Sequence, residues 1–255
     1  MLGKLLKYEI PALGRKLVPL YAAWAVTAIL LGLSVGRVES KSEFSMVITV
    51  LLYVGVAASV FVMGIVMLIQ RYSHSLLGDE GYFYHVLPVS ANEHIACKTI
   101  SALIWIVLSL LTALVTFMLI GLFSGTPLSE IAFAFHFWIP NEAVGTVVLL
   151  TIETIVAGLL SVCKSVLAIY AAITIGHQAK NHTTLASIGA YIALMVLEST
   201  AGNIMIHLLP NIMINPETSS GVSLLLLVAM VATIIIGGFY FFICSELLRK
   251  RLNLA

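Results

Sequence analysis

Residues 44–70 run without a single charged side chain, and the chain repeats runs of this kind along its length. A helix over that stretch is about 40 Å long at roughly 1.5 Å per residue, enough to cross a hydrocarbon core with tilt. Hydrocarbon offers no partners for backbone amides, so a spanning segment must bond them within itself. Comparable apolar runs lie at 17–35, at 99–123, within 146–175, from 184 onward and at 222–244. Together they predict an all-α polytopic membrane protein, one transmembrane domain over residues 1–255 with six spans and no internal repeat.

Composition points the same way. Hydrophobic residues make up 60% of the chain and charged ones 10%, against about 25% charged in soluble domains. A net charge of +1 lacks the basic balance of a nucleic-acid binder, so no nucleic-acid partner is expected. The first residues, MLGKLLKYEIPALGRK, have no apolar core and small-residue cleavage site of a secretory signal. Instead Leu2, Leu5, Leu6 and Ile10 share one face beside lysines, which predicts an amphipathic interfacial helix over 1–16, bent at Pro11. Cys97, Cys163 and Cys244 are too scattered for a disulfide frame or a metal site and read as small buried hydrophobes.

Lysine and arginine placement sets the expected orientation. Lys4, Lys7, Arg15, Lys16, Arg71, Lys98, Lys180, Arg249, Lys250 and Arg251 fall on one face, and only Arg37 and Lys41 on the other. Both termini, the tail 245–255 and the polar stretch 71–98 are therefore expected in the cytoplasm of a multi-pass plasma-membrane protein.

That stretch, RYSHSLLGDEGYFYHVLPVSANEHIACK, is the longest clearly polar interruption between spans. Gly78 follows an apolar helix whose last turns hold Arg71 and His74, an ordinary helix stop. Asp79 can cap a helix of about two turns, closed by Leu87-Pro88. Ser90-Ala91-Asn92-Glu93 has the S-x-x-E spacing of a capping box and predicts the start of the third span. Tyr82, Phe83 and Tyr84 fit either an aromatic belt at headgroup depth or a stiff helix that passes a push between compartments.

The order Glu80, the aromatics, Leu87-Pro88-Val89-Ser90 and then Lys98 entering the next span resembles the ABC-2 type permease family. Gly81-Tyr82 stand where many members carry a basic residue. The resemblance implies a cytoplasmic coupling helix that touches a separate ATPase chain, with Asp79, Glu80, Gly81, Tyr82, Phe83, Tyr84 and Pro88 as the coupling residues. It further implies a re-entrant segment between spans five and six, and a homodimer or a pairing with a sister permease in a bacterial cell membrane. ATP and Mg²⁺ would sit on the partner. No G-x-x-x-x-G-K-[ST] sequence occurs in this chain, which is expected to be a transport subunit and not itself an enzyme.

Glu153, Lys164 and Glu198 interrupt the later spans. Charges at bilayer depth are costly and usually face protein or a water-filled route, so these three, with Asn203, are the expected route or gate residues. Glu153 and Lys164 share one helix face but lie roughly 16 Å apart along it, too far to pair. For Glu153 a place near the outer interface competes with a place on the route, and for Lys164 snorkelling competes in the same way. The polar run Glu198-Ser199-Thr200-Ala201-Gly202-Asn203 predicts either a break in the fifth span, sheltered by protein or a cavity, or an ordinary helix end with a polar cap; an unpaired Glu198 carboxylate there would be costly. The seven histidines have no metal-site spacing, so no metal or cofactor is expected on this chain. If the three charged residues were proton or ion sites, the chain would instead be an ion-coupled secondary transporter. No nucleophile–base pair speaks for an intramembrane enzyme.

Overall fold

The computed structural model describes residues 2–36, 43–77, 90–125, 144–179, 182–208 and 219–250. Among these residues the chain is helical, with no strand. The helices are α1 (Leu2–Val35), α2 (Glu43–Tyr72), α3 (Ala91–Ser124), α4 (Val144–Gly176), α5 (Thr183–Leu208) and α6 (Ser219–Lys250), and α2 runs on into a π-helical turn, Ser73–Leu77. Each of the six contains a segment long and apolar enough to cross a membrane. The shortest, α5, has 26 residues, or about 39 Å at 1.5 Å per residue. Among the described residues, six helices therefore have the length and composition expected of the spans of a multi-pass membrane protein.

Two sequence expectations change at this level. The amphipathic stretch 1–16 is not a separate helix: α1 runs from Leu2 to Val35 with Pro11 and Pro19 inside it. The fifth span does not break at Glu198–Asn203, because α5 continues to Leu208. A re-entrant turn between spans five and six would fall on 209–218, outside the described residues, as do residues 78–89 of the coupling segment 71–98 and residues 251–255 of the tail 245–255; residues 245–250 of that tail belong to α6.

The chain forms two compact units. One comprises residues 3–68 and 104–141. Its core is built on the face of α1 where Leu13, Leu17, Tyr21, Trp24, Ala28 and Leu31 recur at steps of three or four and are all buried. Val60 and Met67 of α2 and Trp105 of α3 complete the cluster. Hydroxyl pairs join the helices where apolar packing alone would leave polar groups stranded. Tyr21 meets Ser109 at 2.6 Å, Ser34 meets Thr49 at 2.8 Å, and Tyr53 meets Thr116 at 3.2 Å. Gly32 and Gly36 let α1 approach the end of α3 closely: a Cβ on Gly32 would stand 2.8 Å from the Ile120 carbonyl oxygen.

The other unit comprises residues 1–2, 69–103 and 142–255. Here α4 packs against both α5 and α6. Tyr72 stacks on Tyr170 with ring centroids 4.0 Å apart and planes 6° from parallel, and its hydroxyl meets that of Thr174 at 2.8 Å. Tyr72, Leu76 and Cys244 are fully buried. The expected capping box starts α3: the Glu93 amide donates to Ser90 Oγ at 3.4 Å and the Ser90 amide donates to Glu93 Oε2 at 3.2 Å. Beside it, Ser245 of α6 donates to Asn92 Oδ1.

The α4–α5 turn has no room for a side chain at Gly176, where a Cβ would lie 2.5 Å from the Ser187 amide nitrogen and Cα. Gly176→Ala should therefore cost about 1–3 kcal/mol, as overpacking against backbone does. Gly189→Ala, in open space on α5, should leave stability unchanged or raise it by up to about 1 kcal/mol. Thermal unfolding of the detergent-solubilised protein measures both, and equal behaviour of the two variants contradicts the close approach.

Candidate functional site: an intramembrane ion pair

On α5, Tyr191, Leu194, Met195 and Glu198 follow helical spacing of three and four and line one pocket together with Lys164, Ser165 and Ala168 of α4 and Tyr240 of α6. Lys164 Nζ donates to Glu198 Oε1 in a direct salt bridge. Tyr240 donates its hydroxyl to Glu198 Oε2 at 3.2 Å. Gly237, one helical turn before Tyr240, leaves α6 close to the Lys164 backbone: a Cβ there would touch Lys164 Cα and Cβ at 3.9–4.0 Å. One cluster thus ties α4, α5 and α6 at a single level.

That level is deep. At about 1.5 Å per residue, Lys164 lies roughly 18 Å from the Gly176 end of α4 and Glu198 roughly 22 Å from the Thr183 end of α5. A lone charge at the centre of a spanning helix costs about 3 kcal/mol, so the two charges are each other's most effective compensation. The side chains retain 16% and 27% of their exposure, which leaves the pair partly open beside a pocket of about 50 Å³.

The sequence-predicted route residues are thus sorted. Lys164 and Glu198 come together, so the Glu198 carboxylate is not left unpaired. Glu153 stands apart from both: Ser223 of α6 donates to its Oε1 at 2.8 Å, and its Oε2 is buried with no hydrogen-bond partner among the described residues. Asn203 is exposed near the end of α5. The helix survives its polar run because Thr200 turns its hydroxyl onto the Leu197 carbonyl at 2.9 Å and Glu198 has partners on α4 and α6. Tyr240 and Tyr191 were not foreseen, since a tyrosine in an apolar span is an ordinary core residue until a carboxylate is found beside it. Asp79, Glu80, Gly81, Tyr82, Phe83, Tyr84 and Pro88 lie outside the described residues. Among the described residues, no three His, Cys, Asp or Glu side chains gather as metal ligands would.

No family model, no curated protein and no solved structure matches this chain.

Removing one member of a low-dielectric ion pair strands the other, whereas replacing both by apolar residues does not. Lys164→Met and Glu198→Leu should therefore each destabilise the protein by about 3 kcal/mol, and the double variant should recover most of that loss. The check is a double-mutant cycle by denaturant unfolding in bicelles. Strictly additive losses would show that the contact carries no coupling.

Proposed function

We propose that this chain is the membrane-spanning permease subunit of an ATP-driven exporter of the ABC-2 kind, working as a dimer with a separate ATPase chain. The observation that carries the reading is the Ser90–Glu93 capping box at the start of the third of six helices of membrane-crossing length. It places a firm helix start immediately after the segment whose residues resemble the family's coupling helix. In this reading Glu80, Tyr82, Phe83 and their neighbours receive the movement of the ATPase, which holds the ATP and Mg²⁺. α3, rigidly capped, carries that movement into the membrane. Both termini face the cytoplasm of the cell membrane, in keeping with the excess of lysine and arginine on that side.

A second reading has its own support. The Lys164–Glu198 pair, with Glu153 on the same helix as Lys164, supplies ionisable groups at depth that an ion-coupled secondary transporter would use. The two readings differ in the power source. Purification of the tagged chain from its native membrane should bring down an ATPase if the first holds, and substrate movement should follow an ion gradient without ATP if the second does.

Two measurements test the first reading further. Glu80→Ala, or Tyr82→Ala with Phe83→Ala, should leave the chain inserted but reduce stimulation of the partner's ATP hydrolysis by about tenfold, a loss of roughly 1.4 kcal/mol of coupling. Unchanged association and turnover would remove the coupling role. For orientation, a cysteine introduced at Ser219 should react with an impermeant thiol reagent on intact cells while one at Asn253 stays protected. The reverse pattern would invert the topology.

A further inference from the structure

The Lys164–Glu198 contact uses only part of what its two groups offer. An ammonium has three N–H donors, and Glu198 is the one hydrogen-bond partner of Lys164 among the described residues. A carboxylate oxygen has two lone pairs. Oε1 of Glu198 receives Lys164, and Oε2 receives the Tyr240 hydroxyl at 3.2 Å. Donors on the ammonium and acceptor positions on the carboxylate are left over together, on a pair with no net charge.

The nearby wall does little to satisfy them. Ala168 and Leu194 have no polar side-chain atom, and Ser165 gives its proton to the Ser161 carbonyl at 2.9 Å. Unmade hydrogen bonds on charged groups are costly away from bulk water. The pocket has room for what the protein does not supply. Its volume is about 50 Å³, against about 30 Å³ for one molecule in liquid water. The side chains of Lys164 and Glu198 line that space and keep 16% and 27% of their exposure. A charged solute gains no net attraction from a neutral pair, and pulling either partner away strands the other. What fits is a small neutral molecule that donates and accepts at once.

We propose that the pocket between α4, α5 and α6 is a water site. One or two molecules complete the hydrogen bonds of Lys164 and Glu198, roughly 18 Å along α4 from its Gly176 end. A water there accepts from a spare N–H of Lys164 and donates to a spare lone pair of Glu198, so the two charges are bridged as well as in direct contact. The ammonium protons of Lys164 then exchange with water, although the residue lies within a helix of membrane-crossing length. The inference goes beyond the transport reading and holds under either power source.

The test is water-edited solid-state NMR of the whole chain in lipid bilayers, with ¹⁵N in the lysine side chains. Exposed Lys4 is the wetted reference. Lys164 Nζ should receive magnetisation from water protons, and Ala168→Leu, which fills the pocket with an isobutyl group, should lose that transfer. The Lys164 Nζ–Glu198 Cδ dipolar coupling, recorded on the same samples with ¹³C in the glutamate carboxyls, reports whether the variant keeps its ion pair. Should Ala168→Leu lose the pair, the wild-type spectrum decides alone. A wild-type Lys164 that receives magnetisation from lipid acyl protons but none from water would overturn the proposal. So would full water transfer in Ala168→Leu with the coupling intact. Neither result bears on an ATPase partner, and a missing ATPase leaves this site standing.

Discussion

Hydrocarbon will not hydrogen-bond a peptide group, and that constraint orders most of what the chain does. Each of the six segments of membrane-crossing length is helical, and the polar side chains within them are drawn into the same accounting. Thr99, Ser109, Thr112, Thr151, Thr154, Thr174 and Thr233 each turn a hydroxyl onto a carbonyl one helical turn earlier in their own helix. A hydroxyl can be settled locally in this way because it needs a single acceptor within reach. A full charge cannot. Lys164 and Glu198 have to find each other across two helices, and the packing of α4 on α5 follows the line that lets them.

The two kinds of contact divide the labour within each unit. Close approach comes from small residues, with Gly32 and Gly36 against the end of α3 in one unit and Gly176 against Ser187 in the other. Such contacts gain dispersion energy at short range but say little about register, since small residues pack in several ways. Polar contacts supply the register: Tyr21 with Ser109, Tyr72 with Thr174, and Asn92 with Ser245 each hold one residue opposite one other. The ion pair belongs to the second kind, with the difference that it remains partly open and is flanked by a cavity. A contact made solely for register would gain from being closed, and the opening is what gives this one a claim to function.

The spans were legible in the sequence because their signal is length and the near absence of charge, which no tertiary contact can override. The start of α3 was legible because a capping box is settled within four residues, Ser90 to Glu93. The run Glu198–Asn203 misled because its composition is that of a helix end, while what decides the matter lies elsewhere. Thr200 is satisfied by its own helix, and Glu198 by residues 34 and 42 positions away in the chain. Lys164 and Glu198 were each identifiable as costly charges, yet periodicity within one helix carries no information about which helix it will face. Opposite charges at similar depth on adjacent spans were the available signal. Pro11 predicted a bend that did not end α1, since the turn it disturbs is followed by a buried stripe from Leu13 to Leu31 that keeps one helix face in register.

The contact on which the second unit turns is the ion pair between Lys164 and Glu198. Solid-state NMR of the protein in lipid bilayers, with ¹⁵N in the lysine side chains and ¹³C in the glutamate carboxyls, measures the contact through the dipolar coupling between Lys164 Nζ and Glu198 Cδ. A direct pair gives a strong coupling, of the size set by a nitrogen–oxygen separation within about 4 Å, that vanishes in Glu198→Gln, where that labelled carboxyl is gone. A Lys164 signal with no dephasing from any glutamate in the wild-type protein would contradict it.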